Sequence, residues 1–370
     1  MSKTKVLHII KSLGRGGAEM LLQETLKQHD KTRFEFHYIY FLPWKDQMVE
    51  GLRNAGGIVT NIPAKNNRVI MLQITKVIDY IRQNKIELVH CHLPWAGFVG
   101  RVLYKKTGVP VIYTEHNKQE RYHWVTRYIN KFTFNRQKKV IAVSADVAES
   151  IQKNIHPKIE VQTILNGVNT DFFVRDIEAG KQLRKLYKIP QDSIVLGTIA
   201  VFRFQKRLKE WVDLFKIMQK KYSNLVGCIV GDGILNQEIR LYVKQQGMEE
   251  KILMPGLQTK VLPWLSAMDI FMMTSEFEGL PIALLEAMSM ECAVVCTDAG
   301  GIKELIRDNV DGFLMPVENW KALEKPLSDL LTNPKQINTW GAKARKRVVN
   351  DFSLQTMVQE TEKLYSSLLQ

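Results

Sequence analysis

Two carboxylates stand eight positions apart in EFEGLPIALLEAMSM (276–290), Glu278 in a short polar lead-in and Glu286 within an apolar run. Pro281 suits the first turn of a helix, because its missing N–H is one of the groups left unpaired there, and Gly279 permits a tight turn before it. The segment therefore predicts a loop followed by a buried helix. Glu286 then faces inward about one and a half turns along, with Leu284, Leu285, Ala287 and Met288 around it. A buried carboxylate needs a partner or loses its charge. Adjacent ribose hydroxyls would suit, since two O–H donors match the two oxygens of one ionised carboxylate. An internal pair with Lys or Arg, or a partly exposed helix edge, is the structural alternative.

Other residues point to anion chemistry. Amides at Gly279 and Leu280, at the start of that helix, make a natural anion site. GRGGAEM (14–20) supplies Gly16 and Gly17 between a strand and a helix, where backbone can approach a phosphate or sugar. It is neither a complete GxGxxG nor a Walker loop, and GDG (231–233) reads equally well as a tight turn. FRFQKRLKE (202–210) brings Arg203, Lys206, Arg207 and Lys209 to a strand–helix junction, able to neutralise a diphosphate or simply to charge a surface. His90 and His92 share one strand face and His116 ends the next strand, without zinc-type spacing. No HExxH, paired-cysteine, clustered-carboxylate or GxSxG pattern occurs, so no metal or cofactor is expected and hydrolase chemistry of the elbow type has no support.

The elements that must position these residues follow from the hydrophobic pattern. Short apolar, β-branched runs recur between segments of helical period, as parallel strands with crossover helices require. They fall at 5–10, 34–42, 87–92, 109–116, 138–144 and 161–165, and again at 193–202, 225–231, 251–256, 269–275, 292–298 and 312–316. The polar stretch 166–193 between the two sets marks a domain boundary. The pattern predicts two Rossmann-like domains, 1–170 and 171–350, with residues 351–370 forming a C-terminal helix that packs back toward the first. Ligands of such sheets gather beyond the carboxyl ends of the strands, where the glycine cluster, His116, Arg203, GDG and Glu278 lie.

At 370 residues the chain exceeds the usual size of a single core, in keeping with two domains. The N-terminus lacks a signal-peptide pattern and no apolar run reaches membrane-span length, so a cytoplasmic protein is expected. The net charge of +14 is concentrated in residues 1–170, which hold 26 Lys and Arg against 13 Asp and Glu. Such a field attracts nucleic acid, anionic lipid or an acidic substrate. RYHWVTRYINKFTFNRQKK (121–139) mixes these cations with Trp, Tyr and Phe, as a helix lying in a headgroup layer would. A solvated helix with its aromatic face on the core is the other arrangement. The charge is not organised as a nucleic-acid module, and no nucleic acid is expected as a partner.

Taken together, EFEGLPIALLEAMSMECAVVCTDAGGIKELI (276–306), LNGVNTDFF (165–173), VSADV (143–147), GDG and TEHN (114–117) resemble the retaining glycosyltransferases of family 4, across nearly the whole chain. That resemblance implies an α/β protein of GT-B fold, two doubly wound domains facing across a cleft. It implies transfer of a hexose-type sugar from a nucleoside-diphosphate sugar, most often UDP-linked, to a hydroxyl of a lipid-linked, glycan or polysaccharide acceptor. No metal takes part, and an anionic membrane surface on the cytosolic side is a further partner. By the same resemblance Glu286 binds ribose, and Glu278, Gly279 and Leu280 lie at the sugar and phosphates. Arg203 and Lys206 hold the diphosphate, His116 lies near the transferred sugar, and Gly16 and Gly17 approach donor and acceptor. Phe202 stands where the family usually has Gly, and the spacing from Arg203 to Lys206 is short, which leaves Lys209 as a substitute. A sugar-nucleotide epimerase of the same fold and a basic nucleic-acid-binding protein are the alternatives.

Overall fold

The computed structural model describes residues 3–14 and 16–369. The first sheet contains β1 (Thr4–Ile10), β2 (Phe34–Tyr40), β3 (Ile58–Asn61), β4 (Leu88–His92), β5 (Val111–Glu115), β6 (Lys139–Ala142) and β7 (Val161–Thr163). The second contains β8 (Ile194–Ile199), β9 (Leu225–Val230), β10 (Ile252–Gly256), β11 (Ile270–Met273), β12 (Ala293–Thr297) and β13 (Phe313–Met315). Twelve of these coincide with the apolar runs read from the sequence. The thirteenth, β3, is a short strand whose Ile58 is exposed, so it carries little of the apolar signal that marks a strand buried on both faces.

All strand pairs are parallel, in the orders β3-β2-β1-β4-β5-β6-β7 and β10-β9-β8-β11-β12-β13. Both sheets are doubly wound. The order reverses between β1 and β4 in the first and between β8 and β11 in the second, and a crevice opens at each reversal because the flanking connections leave to opposite sides. Strands this deeply buried read as continuous apolar runs: β4, β5, β11 and β12 have no exposed residue.

The chain forms two compact units, Met1–Asn166 with Leu354–Gln370, and Gly167–Ser353. These limits lie a few residues from those read off the sequence, because Val168 bridges Ser353 and its N–H donates to the Phe352 carbonyl at 3.0 Å, drawing both segments into the second unit. The C-terminal helix Leu354–Leu368 groups with the first unit, where Leu364 and Tyr365 are buried against Val6, Phe34, Phe36 and Tyr38. The second unit has its own core, with Trp211 and Phe215 stacked at 5.6 Å and Leu327 and Leu330 fully buried with them.

Candidate active site

The reversal between β8 and β11 collects the cationic and acidic motifs of the second unit. After β8 the chain makes a short 3-10 turn, Phe204–Lys206, with Arg203 as the exposed residue before it and Arg207 left-handed at φ 47° after it. After β11, Glu276 N–H donates to the Gln205 carbonyl at 2.7 Å, so the two strand-end loops are tied by backbone. Lys206 Nζ then lies 2.6 Å from Glu278 Oε1, which also accepts from Ser275 Oγ at 2.6 Å. The pair is only 17 % and 11 % exposed, so neither charge is well screened by water and each depends on the other. Lys209, the substitute its spacing allows, pairs with Glu238 at 2.5 Å on the exposed side of the helix that follows. Ser275 was not singled out in the sequence. It is brought in as the residue three before Glu278, close enough for its hydroxyl to bond across the loop.

Glycines set how tightly these loops pack. A Cβ on Gly301 would lie 1.7 Å from the Gly279 carbonyl oxygen, so the Gly-Gly turn after β12 is pressed against the loop carrying Glu278. GDG follows the same logic: Gly231 sits at φ 132°, and a Cβ there would lie 1.9 Å from the Ala200 carbonyl oxygen. That makes GDG a close-packing device behind the Arg203 loop, where the sequence alone allowed a phosphate loop or a turn. Gly279 and Leu280 are buried, beside Gly301 of the neighbouring turn. Pro281 stands one position earlier than expected, as the N-cap of the helix Ile282–Ser289. Glu286 is buried in that helix, 5 % exposed.

In the first unit, parallel register sets His8 of β1 beside His90 of β4, and the two-residue period of a strand puts His92 on the same face as His90. Their ring nitrogens lie within 4.8 Å of one another, close enough to chelate an ion. The rings already bond to protein groups: His8 Nδ1 lies 3.0 Å from His92 Nε2, and His90 lies 2.6 Å from both the Tyr365 hydroxyl and Thr114 Oγ1. Burial and the neighbouring imidazoles hold His8 and His92 well below the usual histidine range, and burial takes His90 to about 3, so all three are neutral near pH 7. Sequence reading paired His90 with His92 but missed His8, whose partner only strand register supplies.

His116 follows β5 and lines the same cavity as His8, His29, His90 and His92. Its loop is held by the buried Glu115, whose Oε1 accepts from the N–H groups of His116 and Asn117 at 3.0 and 3.3 Å. Burial lowers the His116 pKa to about 4, and its buried Nε2 has no hydrogen-bond partner among the described residues. A neutral ring with one unsatisfied nitrogen suits a ligand hydroxyl. Gly16, extended at φ −128°, is the N-cap of the helix Gly17–Gln28. The predicted site residues thus fall into two sets: Arg203, Lys206, Glu278, Gly279, Leu280 and Glu286 in the second unit, and Gly16, Gly17 and His116 in the first.

The basic aromatic segment forms the helix Trp124–Thr133, turned opposite to a core-facing aromatic helix. Trp124, Tyr128 and Phe132, one turn apart, are exposed by 72, 62 and 63 %. Its polar side faces inward instead: the buried Asn130 accepts from Arg101 Nη1 at 2.9 Å and donates to Gln119 Oε1 at 2.9 Å. Lys131, Arg136 and Lys138 are exposed on or just after the helix. Among the described residues no helix is long and apolar enough to cross a membrane.

Two doubly wound Rossmann-like units in one chain make the GT-B fold. The crystal structure of Anabaena HepE in complex with UDP and glucose superposes with a TM-score of 0.86 over 98 % of this chain and 100 % of that one, at 19 % identity. Two family profiles match, Glycosyltransferase Family 4 over residues 15–172 and Glycosyl transferases group 1 over 181–347, and the chain belongs to this glycosyltransferase family. Its relatives include the Escherichia coli UDP-Gal:alpha-D-GlcNAc-diphosphoundecaprenol alpha-1,3-galactosyltransferase, 24 % identical and covering 81 % of this chain and 80 % of the relative. Another is the Bacillus anthracis N-acetyl-alpha-D-glucosaminyl L-malate synthase, 30 % identical over 65 % of this chain and 62 % of the relative.

Proposed function

We propose that this glycosyltransferase moves a hexose-type sugar from a UDP-sugar to a hydroxyl of a lipid-linked or polysaccharide acceptor, with retention at the anomeric carbon and without a metal. The observation that carries the reading is the Lys206–Glu278–Ser275 cluster beside Arg203 at the sheet reversal of the second unit. The bond from the anomeric carbon to the diphosphate oxygen breaks as negative charge grows on phosphate. Arg203 and Lys206 stabilise that charge, the role a metal plays in other transferases. The acceptor oxygen bonds to the anomeric carbon on the face the diphosphate leaves, and its proton passes to the departing diphosphate. Glu286 takes the ribose hydroxyls, Gly279 and Leu280 line the phosphate end, and His116 Nε2 meets a sugar hydroxyl. Gly16 and Gly17 let backbone come close to donor and acceptor.

Support for the donor comes from the UDP complex of HepE and from the UDP-Gal of the E. coli relative, and support for the acceptor from that relative's diphosphoundecaprenol-linked substrate. A thermal-shift series with UDP-, GDP- and ADP-sugars tests the donor. One UDP-sugar is expected to raise the melting temperature above free UDP and above every other nucleotide sugar; no response to any of them would defeat the reading.

The outward aromatic row and its cations support a place on the cytosolic face of an anionic membrane. Sedimentation with phosphatidylglycerol vesicles at low salt is expected to capture the protein. Trp124→Ser with Phe132→Ser should weaken capture at least about 10-fold, since each buried aromatic contributes roughly 1.5–3 kcal/mol. Equal capture of variant and wild type would remove the helix from the proposal.

A further inference from the structure

The histidine cavity of the first unit contains one continuous chain of hydrogen bonds. Thr114 Oγ1 lies 2.6 Å from His90 Nε2, and His90 Nδ1 lies 2.6 Å from the Tyr365 hydroxyl. That hydroxyl lies 3.4 Å from His8 Nε2, and His8 Nδ1 lies 3.0 Å from His92 Nε2. The rings of His8 and His92 are within 8° of parallel with centroids 5.2 Å apart, as an in-plane N–H···N bond requires. A neutral imidazole has one donor nitrogen and one acceptor nitrogen, and a phenol has a single proton to donate. With the Tyr365 proton given to one ring and its oxygen accepting from the other, the chain runs in one sense or the other, every proton directed toward His92 or every proton directed toward Thr114. Within that arrangement, reversing one link reverses all of them.

Tyr365 is the middle link, and it comes from the C-terminal helix, 275 residues along the chain from His90. We propose that Tyr365 is a positioning residue: through His8 its hydroxyl fixes the tautomer of His92, and so decides whether the His92 nitrogen not bonded to His8 carries a proton or a lone pair in the cavity it shares with His116. The rings of His92 and His116 are 5.9 Å apart, so the chain ends beside the imidazole whose Nε2 is unsatisfied. The consequence for transfer rests on His116 meeting a sugar hydroxyl, as proposed above; the tautomer control itself does not.

The test is Tyr365→Phe, which keeps the ring packed and removes the hydroxyl. Imidazole 15N shifts, recorded on histidine-labelled protein without substrate, are expected to give one tautomer each for His8, His90 and His92 in the wild type. In the variant His8 and His92 should become mixtures of both tautomers, and kcat should fall about 10- to 100-fold, the scale of a misaligned reacting group, with the donor KM unchanged. A hydroxyl with only a structural role would lower the melting temperature and leave the tautomers alone. Where Tyr365→Phe fails to fold, His8→Gln interrupts the next link and is read by the His92 shifts. Unchanged His8 and His92 shifts overturn the proposal, as does a stoichiometric zinc ion retained by the wild type and lost in His8→Asn. Altered tautomers with unchanged kcat overturn the catalytic part. Because the shifts need no substrate, an error in the assigned donor or acceptor leaves the tautomer result standing and shows itself separately in the ligand screen.

Discussion

Lys206→Ala is expected to lower kcat/KM for sugar transfer by about 10²–10³-fold, the range found when one preorganised donor to a developing charge is removed. Two effects add. The departing diphosphate loses a cation, and Glu278, held at 2.6 Å by Lys206 and largely shielded from water, is left facing a negatively charged leaving group with only the Ser275 hydroxyl among its described bonds. The companion variant Glu278→Gln separates them. In the double variant the loss should be smaller than the product of the single losses, because the uncompensated carboxylate is gone. Steady-state kinetics with the donor identified by ligand screening, together with thermal melts of all three variants, supply the measurement. A Lys206→Ala enzyme within threefold of wild type would remove this lysine from the chemistry.

Glu286→Ala should weaken nucleotide-sugar binding by about 10- to 100-fold, corresponding to the roughly 1.5–3 kcal/mol of hydrogen bonds to a charged group. Glu286→Gln, which keeps the shape and an acceptor oxygen but not the charge, should fall between wild type and alanine. Titration calorimetry with the free nucleotide reads the effect directly. Unchanged affinity in the alanine variant, with the fold intact, would end the ribose assignment.

The sequence made some of this legible and hid the rest for physical reasons. Parallel strands covered on both faces announce themselves as apolar runs, which is why β4, β5, β11 and β12 could be read, while the four-residue β3 with its exposed Ile58 could not. Glu286 was conspicuous because a carboxylate in an apolar helix violates the burial pattern. The partnership of Lys206 with Glu278 spans 72 residues and depends on β8 and β11 being neighbours, a fact of sheet order that no local spacing encodes. His8 was invisible for the same reason. The segment 121–139 displayed its amphipathic character, but which face turns inward was decided by Asn130 meeting Arg101 and Gln119, residues outside any pattern that periodicity detects.

The first unit is interrupted by the whole of the second, and its last contribution is the helix Leu354–Leu368. During synthesis Gly167–Ser353 is complete while the earlier unit still lacks Leu364 and Tyr365 from its core, so the part of the chain made first is the part finished last. A chain truncated just before Leu354 would hold the whole of the second unit, while its histidine cavity would lack the walls that Met357, Thr361 and Tyr365 supply. Nascent-chain proteolysis should then find the later-made half protected before the earlier-made one.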